Sequence, residues 1–96
     1  MIHEIATITI DPARAADFEA AVAEARPHFE GAKGFVSFAL ERGIEHPERY
    51  RLVVGWESVE NHMVDFRESD GFAAWRALAS PYFVGAPSVE HVERVI

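Results

Sequence analysis

The sequence predicts an α+β fold, with an antiparallel four-stranded sheet carrying helices on one face. Three observations predict it. Apolar and polar residues alternate over 2–10, 35–42 and 49–56, with a mixed alternation over 88–96. Phe18, Ala21, Val22, Ala25 and Phe29 recur at helical spacing between the first two of these runs. Two serines, Ser58 and Ser69, each open a helical stretch between the third run and the fourth.

In the first strand Ile2, Ala6, Ile8 and Ile10 oppose His3, Ile5, Thr7 and Thr9, and the run is rich in β-branched residues. Asp11-Pro12 then suits a helix start: Asp accepts orphan N–H groups as N-cap, and Pro fits the first helical position. Pro27 is expected to bend or end this helix near its last turn. Gly31 and Gly34 punctuate a turn into the second strand. There Val36, Phe38 and Leu40 are expected on one face, with Phe35, Ser37 and Ala39 on the other. A hairpin loop over 43–48 leads to the third strand, where Tyr50, Leu52, Val54 and Trp56 share a face. A short helix from Ser58 through Phe66 should bury Val59, Met63 and Phe66. The helix capped at Ser69 should bury Phe72, Trp75, Leu78 and Ala79 and stop before Pro81. In the last strand Val89, His91, Glu93 and Val95 alternate with Glu90, Val92, Arg94 and Ile96, so His91 could belong either to an interface or to a pocket.

This order is the split βαβ, or ferredoxin-like, arrangement. It fits a single domain over residues 1–96, which at this size buries about 60–65% of its unfolded surface and supports one core. The second strand is apolar on both sides, and Ile5 adds to the face that carries no helices. A two-fold homodimer with those faces together, forming a dimeric α/β barrel, is the expected way to cover them.

Composition narrows the function classes. The absence of cysteine removes disulfides, thiolate nucleophiles and the usual structural zinc sites. Nine basic residues, only Lys33 being a lysine, face 16 acidic ones, and no basic run exists, so nucleic acid is not an expected partner. No apolar stretch approaches the roughly 18–20 residues needed to cross a bilayer, so no membrane role is expected. Met1-Ile2-His3-Glu4 lacks the basic and apolar regions of a secretion signal, so a cytoplasmic location is expected. Phosphate loops, nucleophile elbows and His-Glu-x-x-His helices are missing, and the five scattered histidines make no close metal-ligand pair.

The informative stretch runs from Trp56 to Arg76. His62 and Phe66 lie one helical turn apart, as do Phe72 and Arg76, which sets a polar group beside an aromatic ring twice. One reading leaves His62 and Arg76 at the edge of the core, with the arginine reaching to water or pairing with Glu68. The functional reading has Trp56, His62, Phe66, Trp75 and Arg76 lining a pocket for a flat aromatic anion.

The strand ending Trp56-Glu57-Ser58, the short helix with His62, the Ser69-x-x-Phe72 turn and the closing Pro87-x-Val89-x-His91 strand resemble the antibiotic biosynthesis monooxygenase family of dimeric α+β barrels. The resemblance spans nearly the whole chain. It implies cofactor-independent oxidation of a small phenol or quinol by O₂, with no cofactor and no metal. Trp56 matches the tryptophan ending the third strand of the polyketide-oxidising members, and Arg76 matches their active-site arginine. His62 replaces their tyrosine, exchanging a phenol for an imidazole able to act as a base. Leu52 replaces an asparagine and donates no hydrogen bond. Catalytic roles are thus expected for His62, Arg76 and Trp56, and substrate contacts for Phe66, Phe72, Trp75 and Leu52. The haem-degrading branch would carry an iron-binding histidine at Arg76 and a tryptophan at Phe66. A non-catalytic binding protein and a polyketide cyclase or isomerase are the alternatives.

Overall fold

In a computed structural model describing residues 1–96, β1 (Ile2–Thr9) passes through a 3₁₀ turn at Pro12–Arg14 into α1 (Ala15–Glu30). The hairpin of β2 (Phe35–Arg42) and β3 (Arg49–Trp56) follows, then a π-helical segment (Asn61–Phe66), α2 (Asp70–Ala79), a 3₁₀ turn (Ser80–Tyr82) and β4 (Ser88–Glu93). All pairings are antiparallel and the strand order is β2-β3-β1-β4, the ferredoxin-like arrangement that the sequence predicts. β1 therefore lies inside the sheet, flanked by β3 and β4, and its core-facing side chains are covered by strands on both sides.

Asp11 caps the start of the first helical region by accepting the Ala13 N–H at 3.0 Å, as its position before Pro12 suggests. The five residues expected on the inner face of α1 are the five that are buried. Pro27 neither ends nor breaks the helix: it lies in the last turn on the exposed side, and α1 continues to Glu30. Closure comes at Gly31, whose N–H reaches the Pro27 carbonyl at 3.1 Å. Fourteen residues form the core, from Tyr50 and Phe18 at one end to Trp56 and Phe66 at the other. Phe29 ties it together, its ring lying 4.7–5.3 Å from those of Phe66, Phe38 and Trp75.

Two expectations about facing are corrected. A bulge between Phe35 and Ser37 turns Phe35 inward to pair with Trp56, leaving Val36 45% exposed. One extra residue reverses the alternation at that point. The segment after Ser58 buries Asn61, His62 and Phe66, while Val59 is 43% exposed and Met63 half-buried. Its hydrogen bonds include Arg67 N–H to the His62 carbonyl at 3.3 Å, an i→i+5 closure, so spacing based on an α-helix points to the wrong face. In α2, Trp75 and Ala79 are buried while Phe72 and Leu78 are half-buried against the core, and Ser69 caps the helix by accepting the Phe72 N–H. No helix is long and apolar enough to cross a membrane.

Gly34 fixes where the π-helical segment sits. Its φ of +80° favours glycine, its carbonyl accepts the Glu57 N–H at 2.8 Å, and a Cβ there would fall on the Asn61 side chain. Asn61 in turn is held by Ser58 and by Asp65. Gly34→Ala is expected to cost at least about 1–2 kcal/mol, because strain in the left-handed region adds to the collision. Urea unfolding of the variant beside wild type measures it, and equal midpoints would contradict the account.

Candidate functional site

A cleft of about 580 Å³ opens between β1, the end of the π-helical segment, α2 and the loop before β4. Glu4, Ala6 and Ile8 of β1 supply one wall, and Phe72, Trp75 and Arg76 of α2 another. Strand alternation places Glu4 on the same side as Ala6 and Ile8, so a carboxylate occupies a core-facing position where an apolar residue would ordinarily stand. Glu4 is 5% exposed.

The neighbours of Glu4 satisfy it. Trp56 Nε1–H donates to Glu4 Oε1 at 3.1 Å, and His62 Nε2 lies 3.2 Å from the same oxygen. His62 Nδ1 lies 2.8 Å from Nε2 of His91, which β4 places directly opposite Glu4. The His62 ring stacks on Trp56 with centroids 5.7 Å apart and planes 17° from parallel. Every buried side-chain nitrogen and oxygen has a hydrogen-bond partner. Glu4 Oε2 has none, so it is the carboxylate atom left accessible, on a residue that borders the cleft.

Burial sets the ionisation of this group. It pushes the Glu4 carboxyl up to about 7, against the opposing pull of the Trp56 hydrogen bond and the positive charge of Arg67. Burial also depresses His62 to about 4, helped by the neighbouring charges of His91 and Arg67. At neutral pH His62 is therefore an uncharged imidazole, while Glu4 is divided between acid and carboxylate. A carboxylate with one free oxygen, poised near pH 7 at the wall of a cleft, is equipped to accept a proton. Arg67 and Arg76 both border the cleft, and neither is engaged in an ion pair. They can stabilise negative charge that develops on a bound molecule.

The residues singled out in the sequence divide into two groups. His62, Phe72, Trp75 and Arg76 border one cleft, so the imidazole and the arginine do face a common space. Trp56, Phe66 and Leu52 do not border it: they are 0%, 2% and 0% exposed and belong to the core. Trp56 acts from behind, through its N–H on Glu4. His62 Nδ1 is hydrogen-bonded to His91 and its Nε2 lies against Glu4 Oε1 at 3.2 Å, whereas Glu4 Oε2 has no such neighbour. Sequence reasoning passed over Glu4 and Arg67. A signal for Glu4 was available, because a single charge interrupts the apolar series Ile2, Ala6, Ile8, Ile10. His91 resolves to a partner of His62 on the core-facing side of β4.

The family model for antibiotic biosynthesis monooxygenases matches residues 1–78. The uncharacterized protein YczJ of Bacillus subtilis is 34% identical over 95 residues, covering 99% of this chain and 100% of that protein. A solved candidate antibiotic biosynthesis monooxygenase from Bordetella bronchiseptica is 54% identical, with a TM-score of 0.96 over 99% of this chain and 97% of its own. The haem degrader MhuD of Mycobacterium tuberculosis, solved with two haems in its active site, is 28% identical, with a TM-score of 0.81 over 100% and 97%.

Two outcomes follow from the burial of these groups. Because the Glu4 carboxyl is raised by folding, its contribution to stability is fully present below about pH 4.5 and is lost as pH rises through 7. Between pH 4.5 and 8, Glu4→Gln should therefore gain on wild type by about 3 kcal/mol, read from urea unfolding at a series of pH values. A difference independent of pH would show that the carboxyl is not perturbed. Installing an amide in the core by Leu52→Asn should destabilise the fold by about 2–4 kcal/mol, through lost burial and an unpaired polar group. An unchanged unfolding midpoint would contradict the placement of Leu52.

Proposed function

The chain belongs to the antibiotic biosynthesis monooxygenase family, and from that premise we propose that it oxidises a small phenol or quinol with O₂, using Glu4 as the proton acceptor. The free Oε2 of a buried carboxylate at the cleft wall, poised near neutral pH, is the observation that carries this reading. Glu4 removes the phenolic proton, and Arg76 with Arg67 stabilises the phenolate. Phe72 and Trp75 supply apolar and aromatic surface against the ring. Trp56 positions the base through its hydrogen bond, and His62 packs against the same oxygen.

An electron-rich phenolate delivers charge to the ring carbon that reacts with O₂. For a phenol bearing an activated methylene, of the anthrone type, the conversion CH₂ + O₂ → C=O + H₂O balances with all four electrons coming from the substrate. No external reductant enters that balance. Haem degradation does not suit these residues. Arg76 has no lone pair for iron, and His62, the histidine at the cleft, has both ring nitrogens within hydrogen-bond distance of protein groups.

The homodimer belongs to the same proposal. Ala39, Val53 and Ile5 form a row across the helix-free face, which a second copy would cover. The second reading, a binding protein without turnover, is favoured by Leu52: no side-chain donor stands where the family's oxidising members carry an asparagine.

Oxygen consumption with a panel of anthrones and hydroquinones tests the proposal. Wild-type rates should exceed the protein-free control, and kcat/KM should rise with pH through about 7 as Glu4 ionises. Glu4→Gln should reduce kcat by roughly 10²-fold or more, the usual range for loss of a general base. Rates equal to the control across the panel, with stoichiometric quenching of tryptophan fluorescence, would replace the enzyme with a binder. Turnover without oxygen would point to a cyclase or isomerase.

A further inference from the structure

Glu4, His62 and His91 lie on three different elements, β1, the π-helical segment and β4, yet form one continuous line of contacts. Glu4 Oε1 is 3.2 Å from His62 Nε2, and His62 Nδ1 is 2.8 Å from His91 Nε2. His62 is 3% exposed, and its two ring nitrogens face Glu4 and His91. His91 is half-exposed on β4, an edge strand of the sheet, and does not border the cleft. The line therefore begins at the cleft wall and ends at a different part of the surface.

A neutral imidazole carries one N–H and one acceptor nitrogen. With Glu4 ionised, His62 Nε2–H faces Glu4 Oε1 at 3.2 Å and His91 Nε2–H donates to His62 Nδ1. With Glu4 protonated, its O–H donates to His62 Nε2 and His62 Nδ1–H donates to His91 Nε2. The second arrangement pairs the strongest donor, a carboxylic O–H, with the strongest neutral acceptor, an imidazole nitrogen. Both arrangements join the same three groups in the same order.

We propose that Glu4, His62 and His91 form a proton relay connecting the cleft wall to the outer edge of the sheet, in which a single proton on Glu4 reverses both hydrogen bonds. Release balances as follows. The Glu4 proton moves to His62 Nε2, the His62 Nδ1 proton moves to His91 Nε2, and the His91 Nδ1 proton passes to water. One proton leaves, Glu4 becomes a carboxylate, and each ring ends neutral in its other tautomer; uptake runs the same steps backwards. The relay gives Glu4 exchange with solvent by a route that a molecule filling the cleft does not block. Its use in turnover rests on the reading of Glu4 as the base, whereas its existence does not.

The charged groups around the line are few. Arg67 acts on both Glu4 and His62, and Arg76 borders the same cleft. Glu93 stands two residues along β4 from His91 on the same face, and β3 presents uncharged Val54 opposite Glu4.

Long-range ¹H–¹⁵N correlation spectra of the imidazole rings, recorded on ¹⁵N-labelled protein between pH 5.5 and 8.5, test the relay without any substrate. His62 should remain neutral, passing from the Nδ1–H form at the acid end to the Nε2–H form at the alkaline end. Glu4→Gln should remove that midpoint. His91→Gln keeps a hydrogen-bond partner for His62 but has no second ring nitrogen to pass a proton on. In that variant the His62 ring proton should exchange with water at least about tenfold more slowly. A single His62 tautomer across the whole range, or exchange unaffected by His91→Gln, would overturn the relay. Inversion in a protein that consumes no oxygen with any phenol would sustain the relay and remove the oxidase reading.

Discussion

The interaction on which the site depends is the burial of one carboxylate on the inner face of β1. An ionised glutamate in an apolar setting is costly unless hydrogen bonds surround it or it takes up a proton. Here both compensations operate. Trp56 and His62 approach Oε1, and the carboxyl rises to about 7, so that it spends part of its time neutral. Each compensating group makes its own demand. Trp56 must end β3 opposite Ile2, and His62 must be turned inward by a segment wound more widely than an α-helix. Gly34 must lack a side chain so that Asn61 can anchor that segment.

Sheet order converts this local constraint into a site. Because β1 runs between β3 and β4, Glu4 receives Trp56 from one neighbouring strand, while the other brings His91 within reach of His62. A small domain has one core, and an active site competes with it for apolar residues. The competition is settled by position. Tyr50, Phe18 and Phe29 fill the core, whereas the buried charge of Glu4 is admitted where α2 and the loop before β4 leave a cleft. Trp56 serves both ends of the bargain: its ring packs in the core and its N–H faces Glu4.

Most of the fold was legible because the period of its burial is regular. The inner face of α1 and the inward series of β3 follow from spacing alone, and the family resemblance agrees with the matched segment and with the solved relatives. Legibility failed where the backbone departs from a regular period. The bulge at Phe35 and the π-helical turn around His62 each shift the phase, and neither leaves a mark in residue type. Arg76 and His62 stand out in the sequence because they are chemically conspicuous, and both border the cleft. Glu4 was missed for the opposite reason: in a strand rich in isoleucine and threonine, one acidic residue reads as an exposed position. Leu52 was assigned to a pocket by analogy with relatives and Phe66 by its helical spacing from His62, while their burial places both in the packing behind it.

The pairing of Glu4 with His62 also explains how a perturbed site is tolerated in so small a core. Folding raises the Glu4 carboxyl from 4.5 to about 7 and lowers His62 from 6.5 to about 4. The first shift favours the folded state as pH falls from 7 towards 4.5, and the second disfavours it as pH falls from 6.5 towards 4. Each alone is worth about 3 kcal/mol, a large share of the 5–15 kcal/mol that typically holds a domain together. Acting over overlapping intervals with opposite sign, the two shifts offset one another. In effect the protein moves a proton from the residue that would hold it in the unfolded chain, the histidine, to the one that would not, the glutamate. The pair thus holds a carboxyl raised towards neutral pH inside the fold, with His62 opposing the pH dependence that an isolated buried glutamate would impose.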